Sequence, residues 1–240
     1  MENTLRKEIP VLSSLCDLEG RMGVYNIFNT FMDMAAEHAD KIGVGYYTML
    51  EKRAYWVAVR TRVRFYRRPG IMERIEGESW PFAPGLAKND RFYRLWQNES
   101  VLAEGRTEWA AQNMDTGRVM RSADYFPEGI SFREDRVCDE AFTRFKPLGE
   151  ECEEYFYTVS AMDIDTGCHM NNVMYIRMLL NTFSGEELRA MEISELEISY
   201  RRACLEGEKL TVRRAFRDGA WWFDVVKGDG ELAVQALLRV

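Results

Sequence analysis

Histidine is nearly missing from this chain: His38 and His169 are the only two among 240 residues. A metal centre built on several imidazoles is excluded by that count alone. Cysteine is sparse as well. The five stand far apart, at positions 16, 138, 152, 168 and 204, with no Cys-x-x-Cys pair. An odd, scattered set gives neither a disulfide framework nor a zinc site, and a reducing cytoplasm is the expected setting. No apolar run reaches the ~18 residues that a membrane-spanning helix needs. The stretch from Met1 to Leu15 is mixed and charged, without the apolar segment of a signal peptide, so none is expected. A surplus of positive charge is also lacking. Lys and Arg number 32 against 39 Asp and Glu, for a net charge of −7, which argues against a binder of duplex nucleic acid.

What the chain does have is apolar and aromatic mass. Hydrophobic residues make up 46%, enough for a real core, and there are six Trp, eleven Tyr and thirteen Phe. Such aromatic content suits strands and an apolar cavity.

Two segments resemble one another. Arg62-Val63-Arg64-Phe65-Tyr66-Arg67-Arg68 leads to Pro69-Gly70 and then to Glu73-Arg74-Ile75-Glu76-Gly77-Glu78. Glu197-Ile198-Ser199-Tyr200-Arg201-Arg202 leads to Ala203-Cys204 and then to Glu206-Gly207-Glu208-Lys209-Leu210. The shared Tyr-Arg-Arg recurs after 134 positions (Tyr66 to Tyr200). Upstream of each copy the apolar spacing predicts an amphipathic helix, over Tyr25 to Ile42 and over Asn172 to Arg189. Downstream come paired β-like runs. Phe92 to Trp96 and Val101 to Ala111 flank a turn at Gln97-Asn98-Glu99. Trp221 to Val226 and Leu232 to Val240 flank Gly228-Asp229-Gly230, and Asp218-Gly219 adds a further hairpin signal. Each half therefore reads as one long helix followed by an antiparallel sheet that wraps it. By analogy this is an α+β tandem hotdog, with halves at 1–118 and 153–240 and a turn-rich, charged connector at 119–152. A tandem copy would mimic a hotdog dimer within one chain, and it could still pair further as a homodimer.

The chemistry-bearing stretch is Asp163 to Tyr175. It gathers two carboxylates, a rare His and two Asn just before the second helix, a setting suited to acyl chemistry. Its pattern, Asp165-x-x-x-His169-x-Asn171-Asn172-x-x-Tyr175, resembles the signature of the acyl-acyl-carrier-protein (acyl-ACP) thioesterases. Met34-Ala35-Ala36-Glu37-His38-Ala39 with Ile42-Gly43, the strand region around Trp56-Val57, Arg60 and Arg67-Arg68-Pro69, and Ile198 to Cys204 resemble further segments of that family, in the right order. Two positions depart from it: Gly167 stands where many members have Asn, and Ala203 where plant members have Glu. The resemblance implies hydrolysis of fatty acyl-ACP in fatty acid biosynthesis. It implies an acyl-binding first half and a catalytic second half. The partner would be the carrier with its phosphopantetheine-linked chain, with no nucleic acid and no membrane.

Hydrolysis of a thioester needs a positioned water or nucleophile, a base and a stabilised oxyanion. Asp165 could be the base or a direct nucleophile. His169 could orient groups or shuttle a proton. Asn171 or Asn172 could cap the helix, whose first N–H groups could hold the oxyanion. Cys204 admits two readings, a nucleophile in a Cys-His-Asn set or a small buried hydrophobe. His38 and Asp163 read as structural. Arg60, Arg62 and Arg64 share one strand face, extended by Arg67 and Arg68. That stripe is either a solvated face or a dock for an acidic carrier. No cofactor or metal is expected. The alternatives are an acyl-CoA thioesterase that uses the same site, and a non-catalytic acyl-binding module.

Overall fold

The computed structural model describes residues 3–240 and divides into two compact units, Met1–Glu140 and Ala141–Val240. The first unit contains β1 (Leu5–Pro10), α1 (Val24–Lys41), α2 (Tyr46–Glu51), β2 (Ala54–Phe65), β3 (Arg74–Pro81), β4 (Asn89–Gln97), β5 (Ser100–Asn113) and the short β6 (Val119–Met120). Its antiparallel sheet runs β1-β3-β4-β5-β2, with β6 on β5. The second unit contains β7 (Glu153–Thr158), α3 (Asn172–Leu180), α4 (Gly185–Ala190), β8 (Glu195–Tyr200), β9 (Lys209–Arg217), β10 (Ala220–Lys227) and β11 (Leu232–Arg239). Its sheet runs β8-β11-β10-β9-β7, again antiparallel throughout. Each unit is thus a helix over a sheet, and the whole is a tandem hotdog.

The first helix buries Val24, Ile27, Phe28, Phe31, Met34, Ala35 and His38, the face its spacing predicts. Phe31 stacks on Tyr93 of β4 with ring centroids 4.8 Å apart. Two glycines let the helix come this close. A Cβ at Gly77 would lie 2.9 Å from Met34 Sδ, and one at Gly105 would lie 2.8 Å from Phe31 Cε2. Gly105→Ala should therefore overpack the core and lower unfolding free energy by about 1–3 kcal/mol, measured by urea denaturation.

Hairpin chemistry follows the turn residues. Asn98 and Glu99, between β4 and β5, both have positive φ (47° and 66°), as do Asp218 and Gly219 between β9 and β10 (52° and 74°). Two successive left-handed residues match the twist of the flanking strands.

Two expectations need correction. The second helix does not run from Asn172 to Arg189. It stops at Leu180 and restarts as α4. Ser184 and Glu187 form a capping box there, with Glu187 N–H donating to Ser184 Oγ at 3.2 Å and Ser184 N–H to Glu187 Oε2 at 2.6 Å. That local pairing starts a new helix instead of extending the old one. Nor is 119–152 a free-standing connector. Tyr125 packs on Met49, Ala54 and Ala111, and Val137 packs on Trp80 and Phe92, within the first unit. In the second unit, Thr143 N–H donates to Glu197 Oε1 at 2.7 Å and Leu148 N–H to Asp224 Oδ2 at 2.6 Å. The division between units falls inside this stretch. Among the described residues no helix is long and apolar enough to cross a membrane, and no group of three or more His, Cys, Asp or Glu could hold a metal ion.

Candidate active site

The loop before α3 is built from short-range hydrogen bonds. Asp165 N–H donates to the His169 carbonyl at 3.0 Å, and Cys168 N–H donates to the Asp165 carbonyl at 3.0 Å. Cys168 takes the left-handed conformation that closes the turn (φ 59°). Asp165 Oδ1 accepts from Gly167 N–H at 2.8 Å, an Asx-type turn. The result returns His169 over Asp165. His169 Nδ1 lies 3.8 Å from Asp165 Oδ1, with the side chains 26% and 28% exposed. That separation exceeds a direct hydrogen bond, but both groups are within reach of one water.

Gly167 makes this approach possible. A Cβ there would sit 3.0 Å from both Asp165 Oδ1 and His169 Nε2. Its φ is not positive, so the glycine answers a demand for space, not for a backbone conformation.

Asn171 is the N-cap of α3, its Oδ1 accepting from Val173 N–H at 2.9 Å. Its carboxamide NH₂ remains as a donor at the site. The Asn172 N–H, first in the helix, meets no acceptor among the described residues. Asp163 is structural. Buried, it accepts from Tyr157 Oη (3.0 Å), Ser160 N–H (2.7 Å) and Ser160 Oγ (2.8 Å), while its carbonyl holds Asn171 N–H at 2.8 Å. Burial, then Asp163, pushes the Tyr157 hydroxyl up to about 12, so it stays a donor. Asp163→Ala should orphan these donors and destabilise the protein by roughly 2–4 kcal/mol, read as a drop in Tm.

Cys204 meets the loop through its backbone. Its carbonyl accepts from Met170 N–H at 2.8 Å, and its N–H donates to Tyr175 Oη at 3.2 Å. The thiol is fully buried, and burial raises its pKa above the ordinary thiol value. It therefore lacks the exposure and thiolate character of a nucleophile. Tyr175 is buried packing that also anchors the loop between β8 and β9.

Each arginine of the stripe has a carboxylate beside it. Arg60 lies 3.9 Å from Glu108. Arg62 and Arg64 lie 3.6 Å and 3.2 Å from Glu140. Arg67 pairs with Glu73 at 2.9 Å, and Arg68 pairs with Asp17. Arg62 is buried outright. Apart from Glu73, six residues from Arg67, these carboxylates come from distant positions that strand alternation cannot reveal.

Sequence reasoning missed a second copy of the loop. Positions 11–24 fold with the same pattern of hydrogen bonds as 159–172, at a constant offset of 148, as from Asp17 to Asp165. Asp17 N–H donates to the Arg21 carbonyl (2.7 Å), Gly20 N–H to the Asp17 carbonyl (3.1 Å) and Glu19 N–H to Asp17 Oδ1 (2.9 Å). Met22 N–H donates to the Pro69 carbonyl (2.7 Å), as Met170 does to that of Cys204, and Gly23 N–H donates to the Leu15 carbonyl (2.8 Å), as Asn171 does to that of Asp163. Gly20 has φ 69° where Cys168 has 59°. The backbone design is therefore common to both units, and the side chains differ. Arg21 stands for His169, Glu19 for Gly167, Gly23 for Asn171 and Pro69 for Cys204. Asp17 Oδ2 is closed by Arg68. Asp165 Oδ2 has no partner among the described residues. The available signal was an Asp seven residues and a Met two residues before the first residue of each helix, Asp17 with Met22 and Asp165 with Met170.

A family model for the acyl-ACP thioesterase N-terminal domain matches residues 2–130, and one for the acyl-ACP thioesterase C-terminal domain matches residues 148–228. The chain is 24% identical over 201 residues to an oleoyl-acyl carrier protein thioesterase, chloroplastic, of Coriandrum sativum, covering 75% of this chain and 54% of that protein. It is 26% identical over 194 residues to a dodecanoyl-[acyl-carrier-protein] hydrolase, chloroplastic, of Cinnamomum camphora, covering 74% and 50%. It spans about half the length of the curated relatives it matches. Among solved structures, an acyl-ACP thioesterase from Bacteroides thetaiotaomicron superposes with a TM-score of 0.88 at 19% identity, covering 99% of this chain and 97% of that one. The 12:0-ACP thioesterase from Umbellularia californica gives 0.84 at 19%, covering 99% and 96%. At such identities these two likenesses carry the fold.

Proposed function

The chain belongs to the acyl-ACP thioesterase family, and from that premise we propose that it hydrolyses fatty acyl-ACP to free fatty acid and ACP in fatty acid biosynthesis. The observation that carries this reading is the loop beside α3, in which a carboxylate with one unpaired oxygen faces an imidazole. The same loop in the first unit has its carboxylate closed by an arginine.

Asp165 divides its work between two oxygens. Oδ1 holds the Gly167 N–H and so fixes the turn. Oδ2 takes a proton from water, whose oxygen adds to the thioester carbonyl carbon. The resulting oxyanion is met by Asn172 N–H at the head of α3, aided by the positive end of the helix dipole. Collapse breaks the carbon–sulfur bond, and the carrier sulfur leaves with the proton first taken from water. His169, beside Asp165, orients the water and passes that proton. Asn171 shapes the site as the helix cap. Cys204 positions the loop through its carbonyl and takes no part in bond making. Five free cysteines accord with a reducing compartment.

The test is a substrate panel of acyl-ACP and acyl-CoA thioesters of varied chain length, read by thiol release. Acyl-ACP should be the better substrate by kcat/KM, and a preference for acyl-CoA would move the activity to that carrier. On the same panel Cys204→Ala should keep kcat within about threefold, whereas a nucleophilic Cys would lose several orders of magnitude.

A further inference from the structure

The first unit holds a cavity of about 680 Å³ at the C-terminal end of α1, and His38 is among its lining residues. No residue given a role in the proposed reaction lines it. His38 is 3% exposed, and its Nδ1 lies 3.1 Å from Arg91 Nη1. A guanidinium only donates, so Nδ1 accepts and the ring proton sits on Nε2. That Nε2–H has no acceptor among the described residues. Two more polar atoms of the cavity wall, Asn3 Nδ2 and Thr4 Oγ1, are buried without a partner among the described residues. Behind the imidazole, Arg91 is itself buried, and its partners among the described residues are His38 and Ser79 Oγ (3.0 Å), with no carboxylate.

A buried guanidinium without a counter-charge is costly, and a carboxylate in its neighbourhood is the usual remedy. The two cations on the rim supply no spare negative charge: Lys41 shares Glu37 with Lys7 (2.7 Å each), and Arg6 (2.5 Å) shares Glu78 with Arg133 (3.4 Å). The remaining wall is apolar, from Leu5, Ile42 and Ile130. Donors without acceptors, a net buried positive charge and an apolar flank define one kind of guest. We propose that this cavity binds an amphipathic carboxylate, its head on His38 Nε2–H, Asn3 and Thr4 and its hydrocarbon on Leu5, Ile42 and Ile130. The volume suits a medium-sized ligand. The site shares no residue with the loop before α3, so its occupancy and turnover at that loop can be measured separately.

The two-histidine composition makes the test direct. In full-length protein labelled with ¹⁵N-histidine, the imidazole signals of His38 and His169 can be followed separately during titration with octanoate. The His38 Nε2–H signal should shift saturably. Asn3→Ala combined with Thr4→Val, both near the cavity edge, should weaken that response at least tenfold, with the His169 signal serving as the control for an intact fold. Parallel titrations with octanol and with inorganic phosphate separate the head from the chain, and both should act at least tenfold more weakly. The proposal is overturned if His38 does not respond to octanoate up to about 10 mM, or if only His169 responds. It is equally overturned if octanol or phosphate matches octanoate, or if the double variant binds unchanged.

Discussion

Asp165→Asn should lower kcat on acyl-ACP by about 10²–10⁴-fold while leaving Tm within a degree or two of wild type. The two halves of that result come from the two oxygens. Asn keeps a carbonyl oxygen where Oδ1 accepts from Gly167 N–H at 2.8 Å, so the turn and the placement of His169 survive. It replaces the unpaired Oδ2 with an NH₂ that cannot take a proton. The equivalent change in the first unit, Asp17→Asn, should do the reverse. Asp17 is paired with Arg68, so Asn there breaks an ion pair and affects stability, with catalysis little changed. If Asp165→Asn lowered stability and activity in parallel, Asp165 would be a scaffold residue like its counterpart.

Gly167→Ala should cost about 10- to 100-fold in kcat/KM with a small change in stability. A Cβ at this position lies 3.0 Å from His169 Nε2 and from Asp165 Oδ1, tighter than such contacts ordinarily allow. The loop is partly exposed, so the imidazole can swing away instead of straining the fold. A displacement on the order of 1 Å is enough to cost about 10²-fold in rate. Gly167→Asn, which restores the residue many family members carry, should be at least as damaging, because its longer side chain starts from the same crowded Cβ. A gain in turnover for Gly167→Asn would instead mean that the glycine has impaired the site, and it would favour an acyl-binding module over a working hydrolase. Measuring kcat, KM and Tm for both variants decides between these.

Much of this was legible in the sequence because it is periodic or local. The helix expected over Tyr25 to Ile42 is found at Val24–Lys41, since its apolar face repeats over five turns without a breaker. The hairpins at Asn98-Glu99 and Asp218-Gly219 are set by residues that tolerate left-handed backbone. The grouping of Asp165, His169 and Asn171 at a helix head follows from their nearness in the chain. What escaped was non-local, or was overruled by a stronger local signal. The capping box at Ser184 and Glu187 won over a continuing apolar stripe. The arginine stripe is paired with Glu140, Glu108 and Asp17, brought in from distant segments, and with the nearby Glu73. Cys204 was closed off by packing that no spacing records. The Asp17 loop was hidden because Arg21 and Glu19 replace the side chains that draw attention to its counterpart. Its hydrogen bonds reveal the likeness, beyond the shared Asp and Met.

The most direct measurement is the appearance of carrier thiol and free fatty acid when the purified chain is mixed with acyl-ACP, with Asp165→Asn run alongside as the background. Turnover on the order of 1–10³ per second, with the two products in equal amounts and the variant near the uncatalysed rate, is the predicted result. Acyl-ACP that stays intact with the wild-type chain, or is cleaved equally fast by both proteins, would contradict it.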